Sequence, residues 1–134
     1  MRWRPFTSVR RTLLKSKIHR ATITEARLDY MGSLGIDQRL MKLVGIVPNE
    51  MVHVVNVNNG ERLVTYAIAA GPGEIILNGA AARKGCPGDL LIIMTFAELD
   101  QAELRNHEPT VVFVDRSNRV VGPRLLSEKA AAAG

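Results

Sequence analysis

Met51-Val-His-Val-Val-Asn-Val-Asn-Asn-Gly-Glu-Arg-Leu-Val-Thr-Tyr-Ala-Ile68 reads as two strands joined by a tight turn. Residues 51–57 and 62–68 are rich in apolar and β-branched side chains, as strands are. Asn58-Asn59-Gly60 between them is a hairpin signal, because Asn and Gly tolerate the positive φ such turns require. The same texture continues on both sides. Upstream, Lys17-Ile-His-Arg-Ala-Thr-Ile-Thr24 alternates as a strand does, and Met31-Gly32-Ser33-Leu34-Gly35 carries two glycines and predicts a sharp turn. Asp37 can cap a short helix with Leu40, Met41 and Val44 on one face, stopped by Gly45 and Pro48. Downstream, the Gly71-Pro72-Gly73 turn leads to a strand at 75–77, then Asn78-Gly79 and three alanines enter a brief helix. Pro87-Gly88 precedes a buried strand at 90–96, residues 97–104 predict a helical turn, and 110–114 with 119–121 predict a last hairpin around Ser117-Asn118. Many short, closely spaced strands with small helices indicate a mainly β fold, a compact barrel.

Composition sets the boundaries. The 134 residues suit one domain, and 46% hydrophobic with 23% charged residues argues against wholesale disorder. Aromatics are only 4%, so the core must rest on Val, Ile, Leu and Ala. The longest apolar run, 90–94, is too short to span a bilayer. Cys86 is the sole cysteine, which excludes an internal disulfide and fits a reducing cytosol. The net charge of +5 is front-loaded: Arg2, Arg4, Arg10, Arg11, Lys15, Lys17 and Arg20 all precede the first acid, Glu25. Such an arm can bind nucleic acid or anionic lipid. The start has no apolar h-region or small-residue cleavage site, so a cytoplasmic rather than secreted protein is expected. The division that follows is a basic extension at 1–10, a barrel at 11–122 and a flexible Ala-rich tail at 123–134.

Simple motifs are absent: no phosphate-cradling glycine loop, no paired Cys or His metal ligands, no hydrolase order of Ser, His and acid. Four clusters stand out instead: Lys17-Ile18-His19-Arg20; Tyr30-Met31-Gly32-Ser33; Asn59-Gly60-Glu61-Arg62 with Thr65-Tyr66-Ala67-Ile68; and Asn78-Gly79-Ala80-Ala81-Ala82. In that order and at those separations, over residues 11–121, the chain resembles bacterial aspartate 1-decarboxylase, a carboxy-lyase of pantothenate (coenzyme A) synthesis. The resemblance implies a six-stranded double-psi β-barrel and a homotetramer with active sites between subunits. It also implies a zymogen that cuts itself between Gly32 and Ser33, so that each subunit becomes two chains. Ser33 becomes a pyruvoyl group, which converts L-aspartate to β-alanine and CO2 with neither pyridoxal phosphate nor metal. A maturation factor is left open, and no nucleic-acid or membrane partner is expected.

The residue types suit that chemistry. A serine hydroxyl can attack the preceding carbonyl and shift the acyl group from nitrogen to oxygen, against the resonance of the amide. A strained turn would help, and Gly32 permits backbone angles closed to other residues. The oxyanion on the Gly32 carbonyl needs a placed donor, a role the resemblance assigns to Thr65. Loss of the Ser33 α-proton, elimination and hydrolysis would leave pyruvoyl and ammonia, with Tyr30 a helper in proton movement. The new carbonyl would condense with the amine of aspartate to a Schiff base and act as an electron sink as CO2 leaves. By resemblance, Tyr66 then donates the proton, Arg62 and Lys17 hold the two substrate carboxylates, and His19 shapes the pocket. Asn78 and the N–H groups around Gly79, Ala80 and Ala81 would orient the pyruvoyl end and the substrate.

Each piece alone has a plainer reading. Gly32-Ser33 is a turn, Lys17 and Arg62 are solvated strand residues, and His19, Thr65 and Tyr66 are ordinary members of strands. The joint order of the four clusters is what the plain reading leaves out. The rival functions are a non-catalytic barrel that binds nucleic acid through its basic start, and an uncut relative that binds a metabolite. Two small departures from the family pattern are the short loop Gly71-Pro72-Gly73-Glu74 and Arg83 where a histidine often follows the alanines. Val9 falls where family members begin, so translation is expected to start there, with the first eight residues an artefact.

Overall fold

The computed structural model describes residues 9–121. Most of the basic extension and the expected tail at 123–134 lie outside the described residues. The described chain runs β1 (Arg11–Thr22), β2 (Glu25–Arg27), β3 (Ser33–Asp37), α1 (Gln38–Val44), β4 (Met51–Asn56), β5 (Arg62–Ala70) and β6 (Ile75–Asn78). A 3-10 helix (Gly79–Lys84), β7 (Leu90–Leu99), a second 3-10 helix (Glu103–Asn106) and β8 (Thr110–Phe113) complete it. The fold is mainly β with few short helices. Its strands form one sheet of eight in the order β2-β6-β3-β5-β4-β7-β1-β8.

One of the eight strands lies where the sequence reading placed a turn. Residues 33–37 were expected to begin in a turn, yet they form β3, buried at all five positions. A strand buried on both faces shows no alternation, so periodicity cannot reveal it. Gly35 serves there as a place of close approach rather than a turn, since a Cβ on it would sit 3.3 Å from the Ile76 Cβ and 3.4 Å from the Ala70 Cβ. The helical turn expected at 97–104 is also displaced: β7 continues to Leu99, and the 3-10 turn begins at Glu103.

Other local readings hold. Asp37 caps α1 by accepting from the Arg39 N–H, Gly45 ends it at φ 77°, and Leu40, Met41 and Val44 are its buried face. β4 and β5 pair antiparallel, with Val55 opposite Arg62. In the connecting loop only Gly60 takes a positive φ, 75°. The Asn56 side chain holds that loop by accepting from the Asn58 and Asn59 N–H groups. The last hairpin closes through a bridge from Val114 to Val120, with Asn118 at φ 60°.

The sheet curls onto itself. β1 and β2 are separated only by Ile23 and Thr24, yet stand toward opposite ends of the strand order. The joint is tied by Ile23 N–H to the Asp89 carbonyl and Thr24 N–H to the Ile75 carbonyl. Inside lie Ile18, Ile23, Leu34, Ile36, Val54, Leu77 and Ile93, all under 2% exposed, with α1 packed against them. Each such side chain contributes about 1.5–3 kcal/mol on burial, so the aliphatic core compensates for the scarcity of aromatics.

Candidate active site

The first residue of β3 is the centre of the site. Ser33 pairs with Asn78 of β6, and the next residue, Leu34, pairs with Ala67 of β5. Ser33 is 1% exposed. Its hydroxyl donates weakly to the Met31 carbonyl at 3.4 Å and accepts from Asn78 Nδ2 at 3.0 Å. Asn78 is itself buried, and its Oδ1 has no hydrogen-bond partner among the described residues. A buried orphan acceptor costs about 1–3 kcal/mol, so such atoms are few in native folds.

The turn before Ser33 lies against the first 3-10 helix. Gly79 has φ 66°, and a Cβ on it would stand 2.7 Å from Gly32 Cα and 2.8 Å from both Gly32 N and the Tyr30 carbonyl oxygen. The backbone freedom expected of Gly32 is therefore found across from it. Gly32 is not among the residues of positive φ, and a Cβ there would meet nothing within 4 Å. Ala80 is exposed and Ala81 packs on the core, one and two residues along that helix.

Thr65 and Tyr66 precede Ala67 on β5, at the same end as Ser33 on β3. No hydrogen bond joins Thr65 to Ser33 among the described residues. Tyr30 is half exposed, with its ring 6.0 Å from the Arg27 guanidinium. Arg27 pairs with Asn78 across β2 and β6, so Arg27, Asn78 and Ser33 form one row across three strands. A cleft of about 300 Å3 opens beside that row, with Arg27, Tyr30, Ile68, Glu74 and Asn78 in its lining. Arg27 also pairs with Glu25 at 2.7 Å, and its hydrogen bond holds the Glu25 carboxyl below the usual range. Sequence reasoning did not place Arg27 beside Ser33, because only the pairing of β2 with β6 brings it here.

Lys17, His19 and Arg62 lie elsewhere in the chain. β1 is four places from β3 in the strand order; there Lys17 pairs with Met94 and Val111, and the His19 ring meets Phe113 edge-on at 5.0 Å. Arg62 is exposed at the start of β5, roughly 13 Å along the strand from Tyr66. These residues nevertheless share a surface. Val64, His53, Met94 and Lys17 form a pairing row across β5, β4, β7 and β1, flanked by the row of Tyr66 with Met51 and that of Arg62 with Val55. Met51 is 59% exposed and Val64 56%, so this outer face presents apolar side chains among Lys17, His53, Arg62 and Tyr66, and the described residues leave those two open.

A family profile described as aspartate decarboxylase matches residues 9–121, the whole of the described chain. The chain belongs to the aspartate decarboxylase family. It is 54% identical over 122 residues to aspartate 1-decarboxylase 2 of Gloeobacter violaceus, covering 90% of this chain and 98% of that one. It is 58% identical over 113 residues to aspartate 1-decarboxylase of Acaryochloris marina, covering 83% and 86%. The Myxococcus xanthus aspartate 1-decarboxylase is 57% identical over 115 residues, covering 84% and 88%. No helix among the described residues is long and apolar enough to cross a membrane.

Proposed function

We propose that this chain is an aspartate 1-decarboxylase that makes β-alanine and CO2 from L-aspartate, after cutting itself between Gly32 and Ser33. The observation that carries the reading is the Ser33 hydroxyl, buried and pinned by Asn78, with the turn before it seated against Gly79. Ser33 Oγ attacks the Gly32 carbonyl carbon, the C–N bond breaks, and the Gly32 acyl group passes to oxygen. Thr65 donates to the oxyanion once the turn shifts toward β5. Removal of the Ser33 α-proton expels the Gly32 carboxylate, and water replaces the resulting imine nitrogen as ammonia. Tyr30, beside the cut, assists proton movement.

The position of Ser33 suits the pyruvoyl group: it is buried, and the Asn78 Nδ2 that donates to Ser33 Oγ is a donor from which a carbonyl oxygen there would accept. When present, that group supplies a carbonyl that captures the substrate amine and withdraws the electrons released with CO2. The chain's own residues do the rest. Asn78 and the N–H groups of Gly79, Ala80 and Ala81 orient the reacting end. Arg62 grips one substrate carboxylate in a bidentate fork, Lys17 takes the other, His19 shapes the pocket, and Tyr66 returns a proton to carbon.

Lys17 and Arg62 stand on a face that exposes Met51 and Val64, on strands other than that of Ser33, which supports sites shared between subunits of a homotetramer. The return of β1 into β2 supports the double-psi barrel, here as the core of a single unit at 11–122. A cytoplasmic enzyme supplying β-alanine for pantothenate completes the reading, with no pyridoxal phosphate or metal required. Intact-mass spectrometry tests it. Purified protein should give fragments 1–32 and 33–134 of this numbering, the larger lighter by one ammonia than a serine-terminated chain. Ser33→Ala should stay uncut and inactive; aspartate turnover by that variant would overturn the mechanism.

A further inference from the structure

We infer that Gly79 is a positioning residue for self-cleavage, acting through the side chain it lacks. The inference rests on the self-cutting reaction proposed above and adds a requirement to it. Glycines at positive φ are usually explained by the backbone angle alone. Gly45 at φ 77° and Gly60 at φ 75° are of that kind, with nothing within 4 Å of an added Cβ. Gly79, at φ 66°, differs. Its Cβ position is enclosed by Gly32 Cα at 2.7 Å, Gly32 N at 2.8 Å and the Tyr30 carbonyl oxygen at 2.8 Å. All three are backbone atoms of the turn that is cut, so no side-chain rotation can relieve the overlap.

Gly79 thus works as a flat seat. The scissile turn rests on it, while the neighbouring Asn78 side chain holds Ser33 Oγ from the same strand end at 3.0 Å. One dipeptide, Asn78-Gly79, thereby fixes both reactants of the acyl shift: the side chain holds the nucleophile, and the bare α-carbon sets the height of the carbonyl. A methyl at position 79 would lift the turn and carry the Gly32 carbonyl away from the hydroxyl, which proximity-dependent attack does not tolerate. The requirement belongs to the cutting step. Once the bond is broken, the Gly32 end is free to withdraw.

The test compares Gly79→Ala and Gly79→Asn with Gly60→Ala in the full chain. Asn tolerates the left-handed backbone but still brings a Cβ, so it separates crowding from backbone angle. Folding is followed by circular dichroism, and cutting by the masses of 1–32 and 33–134 over time. Both Gly79 variants should fold and cut roughly tenfold or more slowly than the parent, equivalent to about 1.4 kcal/mol on the barrier. Gly60→Ala should fold and cut at the parental rate. Parental cutting rates in Gly79→Asn would overturn the inference, as would failure of both Gly79 variants to fold. A parent chain that never cuts at this bond would instead remove the self-cleavage reading itself.

Discussion

Asp37→Ala probes the far end of the strand that begins at Ser33. The Asp37 side chain is 2% exposed. It accepts from the Arg39 N–H at 2.8 Å, capping α1, and from the Gly73 N–H at 2.7 Å. The Arg39 guanidinium adds a contact at 3.1 Å but is 68% exposed, so its ion pair is largely screened. Loss of a helix cap costs about 1 kcal/mol. Loss of a hydrogen bond to a buried charge costs about 1.5–3 kcal/mol, so the variant should lose roughly 2–4 kcal/mol. For a domain of this size that lowers Tm by roughly 10 °C, readable by circular dichroism at neutral pH. The pH dependence has a definite sign. Burial pushes the Asp37 carboxyl up, but the bonds from the Arg39 side chain and from the Gly73 and Arg39 N–H groups outweigh it and hold it below the usual range. The stabilisation is therefore complete above the unfolded-state pKa of about 3.9 and is lost as pH falls through the lower folded value. Parent and variant should converge in strong acid. A Tm within a degree or two of the parent at neutral pH, or a gap unchanged in strong acid, would refute the reasoning.

Asn118→Gly should be markedly destabilising even though glycine suits its φ of 60°, because the buried amide accepts from the Thr22 N–H at 2.7 Å and donates to the Thr22 and Gly73 carbonyls at 2.9 and 2.8 Å. The loss should be about 2–3 kcal/mol in urea unfolding, and Asn118→Ala should lose more through left-handed strain; equal stability of parent and Gly variant would rule this out. Tyr66→Phe should still produce both fragments yet lose roughly a hundredfold in CO2 release, as removal of a proton donor does. Full turnover by that variant would reassign the proton donor.

The legible features were those written in neighbouring residues. Asp37, Gly45 and Pro48 bracket α1, and the apolar face between them is local in sequence, so its bounds could be read directly. The hairpin from 51 to 68 was legible for the same reason, although Asn56 rather than Asn58 proved to organise its loop. β3 was not legible, because a strand covered on both faces has no period. The four clusters announced the family. The row of Arg27, Asn78 and Ser33 could not be read, since it exists only through the pairing of β2, β6 and β3, whose residues are far apart in the chain.

By itself, then, the order of residues determined a mainly β chain, its turns, its short capped helix and the family to which it belongs. Those properties arise from local backbone preference and from inherited motifs, neither of which needs a folded coordinate. Tertiary structure alone decided that the buried Ser33 hydroxyl meets Asn78, that Gly79 rather than Gly32 carries the unusual backbone, and that Lys17 and Arg62 share one outer face with His53 and Tyr66. Each of these is a matter of which distant strands lie side by side. Register between strands is set by the packing of the whole core, and no single segment contains it.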